Sequence, residues 1–148
     1  MGACDFFTTA KGRTAEEAFR NAVSNAQYQC GHGGYTGTIA EKDSFTDLTG
    51  RFKAFDIWRL FKEKIAKLKA AAKSEPKGWQ RDNAKSAVAH VEHAYKHFRE
   101  REKKDAVSKA HAMADALFSL DYGDDKWGPA MCLRVKRGEY LFFGLASS

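Results

Sequence analysis

The sequence predicts a single α+β domain, and three observations carry the prediction. Apolar residues recur at helical spacing in four segments, and extended-type stretches stand near both ends. The 148 residues include eleven Phe, enough chain and enough bulk for one core without disulfide staples. The expected order is β-α-β-α-α-α-β-β across residues 1–148, with no internal repeat and no low-complexity tract. A small mixed or antiparallel sheet with the helices packed on one of its faces satisfies that order.

Residues 5–11, DFFTTAK, read as the first strand, which Gly12 ends. Thr14 and Glu17 then form a capping box at the start of a helix. Its buried face is Ala15, Ala18, Phe19, Ala22, Val23 and Ala26, and Gly31 is the expected terminator. A second strand is expected from Thr36 to about Asp43, extendable to Leu48. A basic amphipathic helix follows from Lys53 to Lys73, with Ala54, Ile57, Trp58, Phe61, Ile65, Leu68 and Ala72 inward. Pro76 and Gly78 break the chain.

A third helix spans Arg81 to Lys103 and buries Ala84, Ala87, Val88, Val91, Ala94, Tyr95 and Phe98. A fourth spans Asp105 to Leu120 and buries Ala106, Ala110, Met113 and Leu117. The pattern leaves open whether Asp105 separates these two. AMCLRVKRGEYLFFGLA then reads as a terminal hairpin turning at Arg137-Gly138.

Charge is distributed unevenly. The chain carries a net +6, yet Arg51 to Arg81 holds ten Lys/Arg against three acids, so the rest is nearly balanced. A basic block on a balanced protein points to a polyanion partner. On the second helix Lys62, Lys69 and Lys73 line one flank of the apolar stripe, and Lys53, Lys64 and Lys67 the other. Lys77, Trp79 and Arg81 follow in the expected loop, an aromatic between cations, suited to stacking a base while neutralising phosphates. No sequence-reading DNA or RNA motif accompanies them, so contact at the level of phosphates is what the residues support.

The most unusual segment is GHGGYTGTIAEKD, Gly31 to Asp43. Phosphate loops of the P-loop and dinucleotide kinds run strand, glycines, helix, with the helix N-terminus facing the anion. Here the glycines follow a helix, and neither fingerprint is present, so no nucleotide cofactor is expected. A nest of glycine amides still suits an anion. His32, Gly33, Gly34, Tyr35, Thr36, Thr38 and Lys42 are the expected ligand contacts, the last three sharing one side of an extended segment.

Gly12 with Thr14 to Phe19, followed by Gly31 to Lys42, resembles a family of small proteins carried by bacteriophages and other mobile elements. The resemblance covers about the first third of the chain. It implies a phage or plasmid accessory protein working in the cytoplasm of a bacterial host, and it brings no catalytic residue with it.

Other constellations are weaker. His90, His93 and His97 form a stripe off the buried face of the third helix, at a spacing that can chelate zinc, but the metalloprotease pattern is absent. A solvated stripe is the expectation, and no metal site is predicted. Asp121, Asp124 and Asp125 beside Gly123 read as a polar turn, since the EF-hand order fails. Cys4, Cys30 and Cys132 lack C-x-x-C spacing and fit reduced thiols. No apolar run approaches the ~18 residues of a membrane span.

Three functions follow from this reading. The first is a non-enzymatic protein binding nucleic acid or a phosphorylated nucleotide ligand through the basic helix and the glycine segment. The second is an inhibitor of a host defence system that acts by binding a host protein. The third is a small enzyme using His32, Tyr35 and Glu41.

Overall fold

A computed structural model describes residues 2–31, 36–74 and 78–147. The order is strand β1 (Ala3–Lys11), helix α1 (Ala15–Cys30), a 3-10 turn (Ile39–Glu41), strand β2 (Phe45–Asp47), helices α2 (Ala54–Ser74), α3 (Trp79–Arg101) and α4 (Ala106–Ser119), and strands β3 (Ala130–Lys136) and β4 (Glu139–Ser147). This is the α+β order expected from the sequence. The sheet is mixed, in the order β1-β4-β3-β2, with β1/β4 and β4/β3 antiparallel and β2/β3 parallel.

The second strand lies downstream of its expected place. Thr36–Asp43 does not extend: Thr38 accepts from Ala40 N–H at 3.2 Å and starts the 3-10 turn, leaving only Phe45–Asp47 to pair with β3. The local hydroxyl-to-amide bond competes with a strand ladder and wins.

Helices cover both faces of the sheet, not one. α1 and Ile39 cover the side of Phe6, Cys132, Tyr140, Phe142 and Ala146. The other side, with Leu133, Val135, Leu141 and Phe143, carries α4, against which α2 and α3 pack. The reason is β4, whose residues 140–144 are all buried, so both of its faces need cover. α4 is similarly enclosed. Ala110, Ala112, Ala114, Ala116 and Leu117 are buried around most of its circumference, whereas Ala106 is exposed. Small side chains let the sheet and the α2/α3 hairpin approach from two directions.

Local signals at the helix ends behave as their chemistry dictates. Thr14 Oγ1 accepts from Glu17 N–H at 3.2 Å, and Gly31, at φ 84°, ends α1 with its N–H on Gln27 O. Asp105 does separate α3 from α4. Its carboxylate accepts from Ser108 N–H at 2.8 Å, and this bond holds Asp105 below its ordinary 3.8. A depressed folded value means stabilisation that is present above about pH 3.8 and lost as pH falls through the folded value. Asp105→Ala is therefore expected to remove part of the acid sensitivity, read from unfolding curves taken from about pH 5 down to about pH 2.

The hairpin turns at Arg137-Gly138 as expected. Where the 123 loop crosses β4, Leu145 N–H donates to Gly123 O at 2.8 Å. A Cβ on Gly144 would stand 3.3 Å from that oxygen and 3.4 Å from the Phe6 ring, and the residue's φ of 156° disfavours a side chain as well.

Cys132 sits in the sheet, and burial, aided by the carboxylates of Asp47 and Glu16, pushes its thiol up to about 12. Cys4 and Cys30 are exposed. Cys132 should resist a thiol reagent at neutral pH until the protein unfolds, while Cys30 reacts at once. Mass analysis of labelled native and unfolded protein checks this.

Candidate polyanion-binding surface

α2 and α3 lie antiparallel, and their flanks meet at two crossing points. Lys69 Nζ pairs with Glu92 at 3.1 Å at one end, and the Arg99 guanidinium lies 5.5 Å from the Trp58 ring at the other. Between these points helical spacing places Lys62 on α2 and Lys96 on α3, since Trp58, Lys62 and Lys69 stand at i, i+4 and i+11. Lys73 continues the α2 row, and exposed Phe55 heads it, seven residues before Lys62. On α3 the same row runs Lys85, Glu92, Lys96 and Arg99, with Lys103 just beyond the helix end.

Tyr95, Lys96, Arg99, Glu100 and Lys103 line a depression of about 320 Å³ on this face. Arg99 also lies 5.8 Å from the Tyr95 ring, so one guanidinium is held between two aromatics. Among the described residues, Lys62, Lys73, Lys85, Lys96 and Lys103 have no carboxylate within salt-bridge distance. The Lys69–Glu92 pair is half exposed and worth at most about 1 kcal/mol, so it yields to a stronger anion. Trp58 Nε1 and Arg81 Nε are buried without an acceptor among the described residues.

The structure brings together Lys62, Lys69 and Lys73 as the flank expected from the sequence. The opposite flank is otherwise engaged at Lys64, whose Nζ donates to Ser119 O at 2.7 Å and meets Asp121 at 3.3 Å. Lys77 lies outside the described residues. Trp79 and Arg81 are not in a loop, because α3 begins at Trp79. Two residues apart on a helix, they point to different sides, so they do not form an aromatic-cation group. The aromatics of this face are instead Phe55, Trp58 and Tyr95. Sequence reading missed them, along with Lys85, Lys96, Arg99 and Lys103, because only the pairing of α2 with α3 sets the two rows side by side.

His32, Gly33, Gly34 and Tyr35 lie outside the described residues, and with them most of the expected anion nest. Around it, Thr36 and Thr38 serve the turn. Glu41 Oε1 accepts from Thr36 N–H at 2.8 Å and from Thr36 Oγ1 at 3.0 Å. The Thr38 hydroxyl, 2.8 Å from Thr36 Oγ1, then donates to that oxygen. Lys42 does not share a face with them. It is 4% exposed, and its ammonium donates to the carbonyls of Asp125, Lys126 and Gly128 at 3.2, 3.1 and 2.8 Å. Burial pushes its pKa below the ordinary lysine value, and the Asp125 carboxylate draws it part of the way back. With three donors and three acceptors, Lys42 ties the 125–128 loop to the turn and has no donor left for a ligand.

Asp125 also accepts from Trp127 N–H at 2.9 Å, which makes the acidic segment a hydrogen-bonded turn. The His stripe is less isolated than its position on α3 implied. His90, His93 and His97 remain exposed, but they line a cleft of about 280 Å³ together with Asp5 and Phe7 of β1 and Asp115 of α4. Asp115 is held by Arg101 at 2.7 Å. Among the described residues no group of three His, Cys, Asp or Glu side chains is disposed to hold a metal ion. Nor is any described helix long and apolar enough to cross a membrane.

No family model matches this chain, and no curated protein or solved structure matches it. The surface itself is therefore the ground for a functional reading.

Proposed function

We propose that the protein binds a nucleic acid by its phosphate backbone along the shared face of α2 and α3. The observation that carries this reading is the pair of adjacent cation rows, with Lys62, Lys73, Lys85, Lys96 and Lys103 unpaired among the described residues and Phe55, Trp58 and Tyr95 beside them. Lys62 to Lys73 alone spans about 16 Å along the helix, long enough to track several phosphates and longer than one nucleotide requires. Cations beside an exposed ring, Phe55, and the part-buried Trp58 and Tyr95 suit a single strand, whose bases can stack on Phe55 while its phosphates are neutralised. No sequence-reading DNA or RNA motif accompanies them in the sequence, so weak sequence dependence is expected.

The setting we propose is a phage or mobile-element accessory protein in a bacterial cytoplasm, supported by the resemblance of the Gly31–Lys42 segment. The test is binding of the purified chain to labelled single- and double-stranded DNA and RNA across a salt series. A steep linear fall of log K with log salt supports the reading and counts the phosphate contacts. Absence of binding at low salt would overturn it and favour a host protein as the partner.

A further inference from the structure

We propose that two copies of this chain join through the free edge of β1, extending the four-stranded sheet across a two-fold axis. β1 pairs with β4 over nine residues, Ala3↔Ser147 to Lys11↔Glu139, without a register shift. Just past its end, Gly12 N–H donates to Gly138 O at 3.1 Å. That bond fixes the parity of the ladder: even-numbered residues turn their backbone groups to β4, and odd-numbered ones turn theirs outward. Lys11 O obeys this and is taken by Asn21 Nδ2 at 2.8 Å. The outward N–H and C=O of Asp5, Phe7 and Thr9 have no partner among the described residues.

Protected edges carry Pro, a bulge, an inward charge or a covering element. From Ala3 to Thr9 this one has no Pro, Gly, Lys or bulge, and its single charge, Asp5, is exposed on the face of Phe7, where a counter-charge from a partner would suit it. The three open residues are centred on Phe7, so an antiparallel second copy satisfies all of them when Phe7 faces Phe7 across the axis. Asp5 then lies opposite Thr9 of the second copy and diagonal to its Lys11, within reach of a long side chain. A shift that centres the pairing on Phe6 would set the two Asp5 carboxylates diagonally against each other. Phe7 is half-buried, stacked at 6.0 Å on Phe143 and edge-on to Phe118 at 5.7 Å, so the pairing also continues the apolar layer between copies.

The partner is thus a second copy, chosen by register and charge. Light scattering of the full chain should give a mass near twice 16.6 kDa. Thr9→Pro removes an N–H that points away from β4 and should yield a monomer with an unchanged circular dichroism spectrum and a melting point that no longer rises with protein concentration. Ala10→Cys with Cys30→Ser supplies a positive test. In this register Cys4 faces Ala10 of the second copy in a non-hydrogen-bonded pair, with Cα atoms about 4.5 Å apart, a distance a disulfide spans. Air oxidation should give a covalent dimer, and adding Cys4→Ser should abolish it. A mass of one chain at every concentration would overturn the proposal, as would a Thr9→Pro dimer or cross-linking through Thr8→Cys in place of Ala10→Cys.

Discussion

Replacing Lys62 and Lys96 together by Glu is expected to weaken nucleic-acid binding roughly tenfold or more at low salt and to leave the fold intact. The two lysines sit midway between the Lys69–Glu92 and Trp58–Arg99 crossing points, where both rows contribute to one potential. If each contacts one phosphate, the slope of log K against log salt should fall in magnitude by about 1.4 on a single strand and about 1.8 on a duplex. Neither side chain is in an ion pair among the described residues, and both are exposed on helices that tolerate Glu, so stability should change by no more than about 0.5 kcal/mol. Lys53→Glu with Lys67→Glu is the matched control, equal in charge but on the other flank of α2, and should leave the slope close to the parent value. Binding lost equally in both variants would reduce the effect to net charge and remove the case for a defined face.

The second large effect is expected at Lys42. Lys42→Met keeps the length and the apolar stem but leaves the carbonyls of Asp125, Lys126 and Gly128 without their shared donor. Asp125 is exposed and Lys126 and Gly128 are part-buried, so the loss is expected to be about 2–4 kcal/mol, seen as a lower denaturant midpoint at constant slope. Amide exchange should rise chiefly in residues 123–129, and nucleic-acid binding should persist at temperatures where the variant is folded. A variant of parental stability that no longer binds would return Lys42 to the role of a ligand contact.

Much of the fold was legible because it rests on short-range chemistry. Thr14 and Glu17 mark the start of α1, Gly31 its end and Arg137-Gly138 the hairpin turn, and each acts through neighbours within a few residues. The inward rows of α2 and α3, Ile57 with Phe61 and Val91 with Phe98, follow from a period of 3.6. The strand over Thr36–Asp43 failed for an equally local reason. Alternation of side chains says nothing of Thr38 capping a 3-10 turn or of Glu41 holding Thr36. Nothing in the chain near Lys42 announces the loop that consumes it, which lies more than eighty residues away.

By itself, then, the sequence determined the order of helices and strands and which face of α1, α2 and α3 is apolar, although not where β2 lies or how far α4 is enclosed. It also determined that both flanks of α2 are basic, since that needs only the helix's own period, whereas the structure engaged one of them at Lys64. The tertiary structure decided what could not be local. It set helices on both faces of the sheet because β4 is apolar on both sides. It aligned the α3 cations and Tyr95 with the α2 row through antiparallel packing, and it left one edge of β1 unpaired among the described residues. Secondary structure answers to neighbours along the chain, but a surface of matched charge exists only once two helices have chosen which flanks to share.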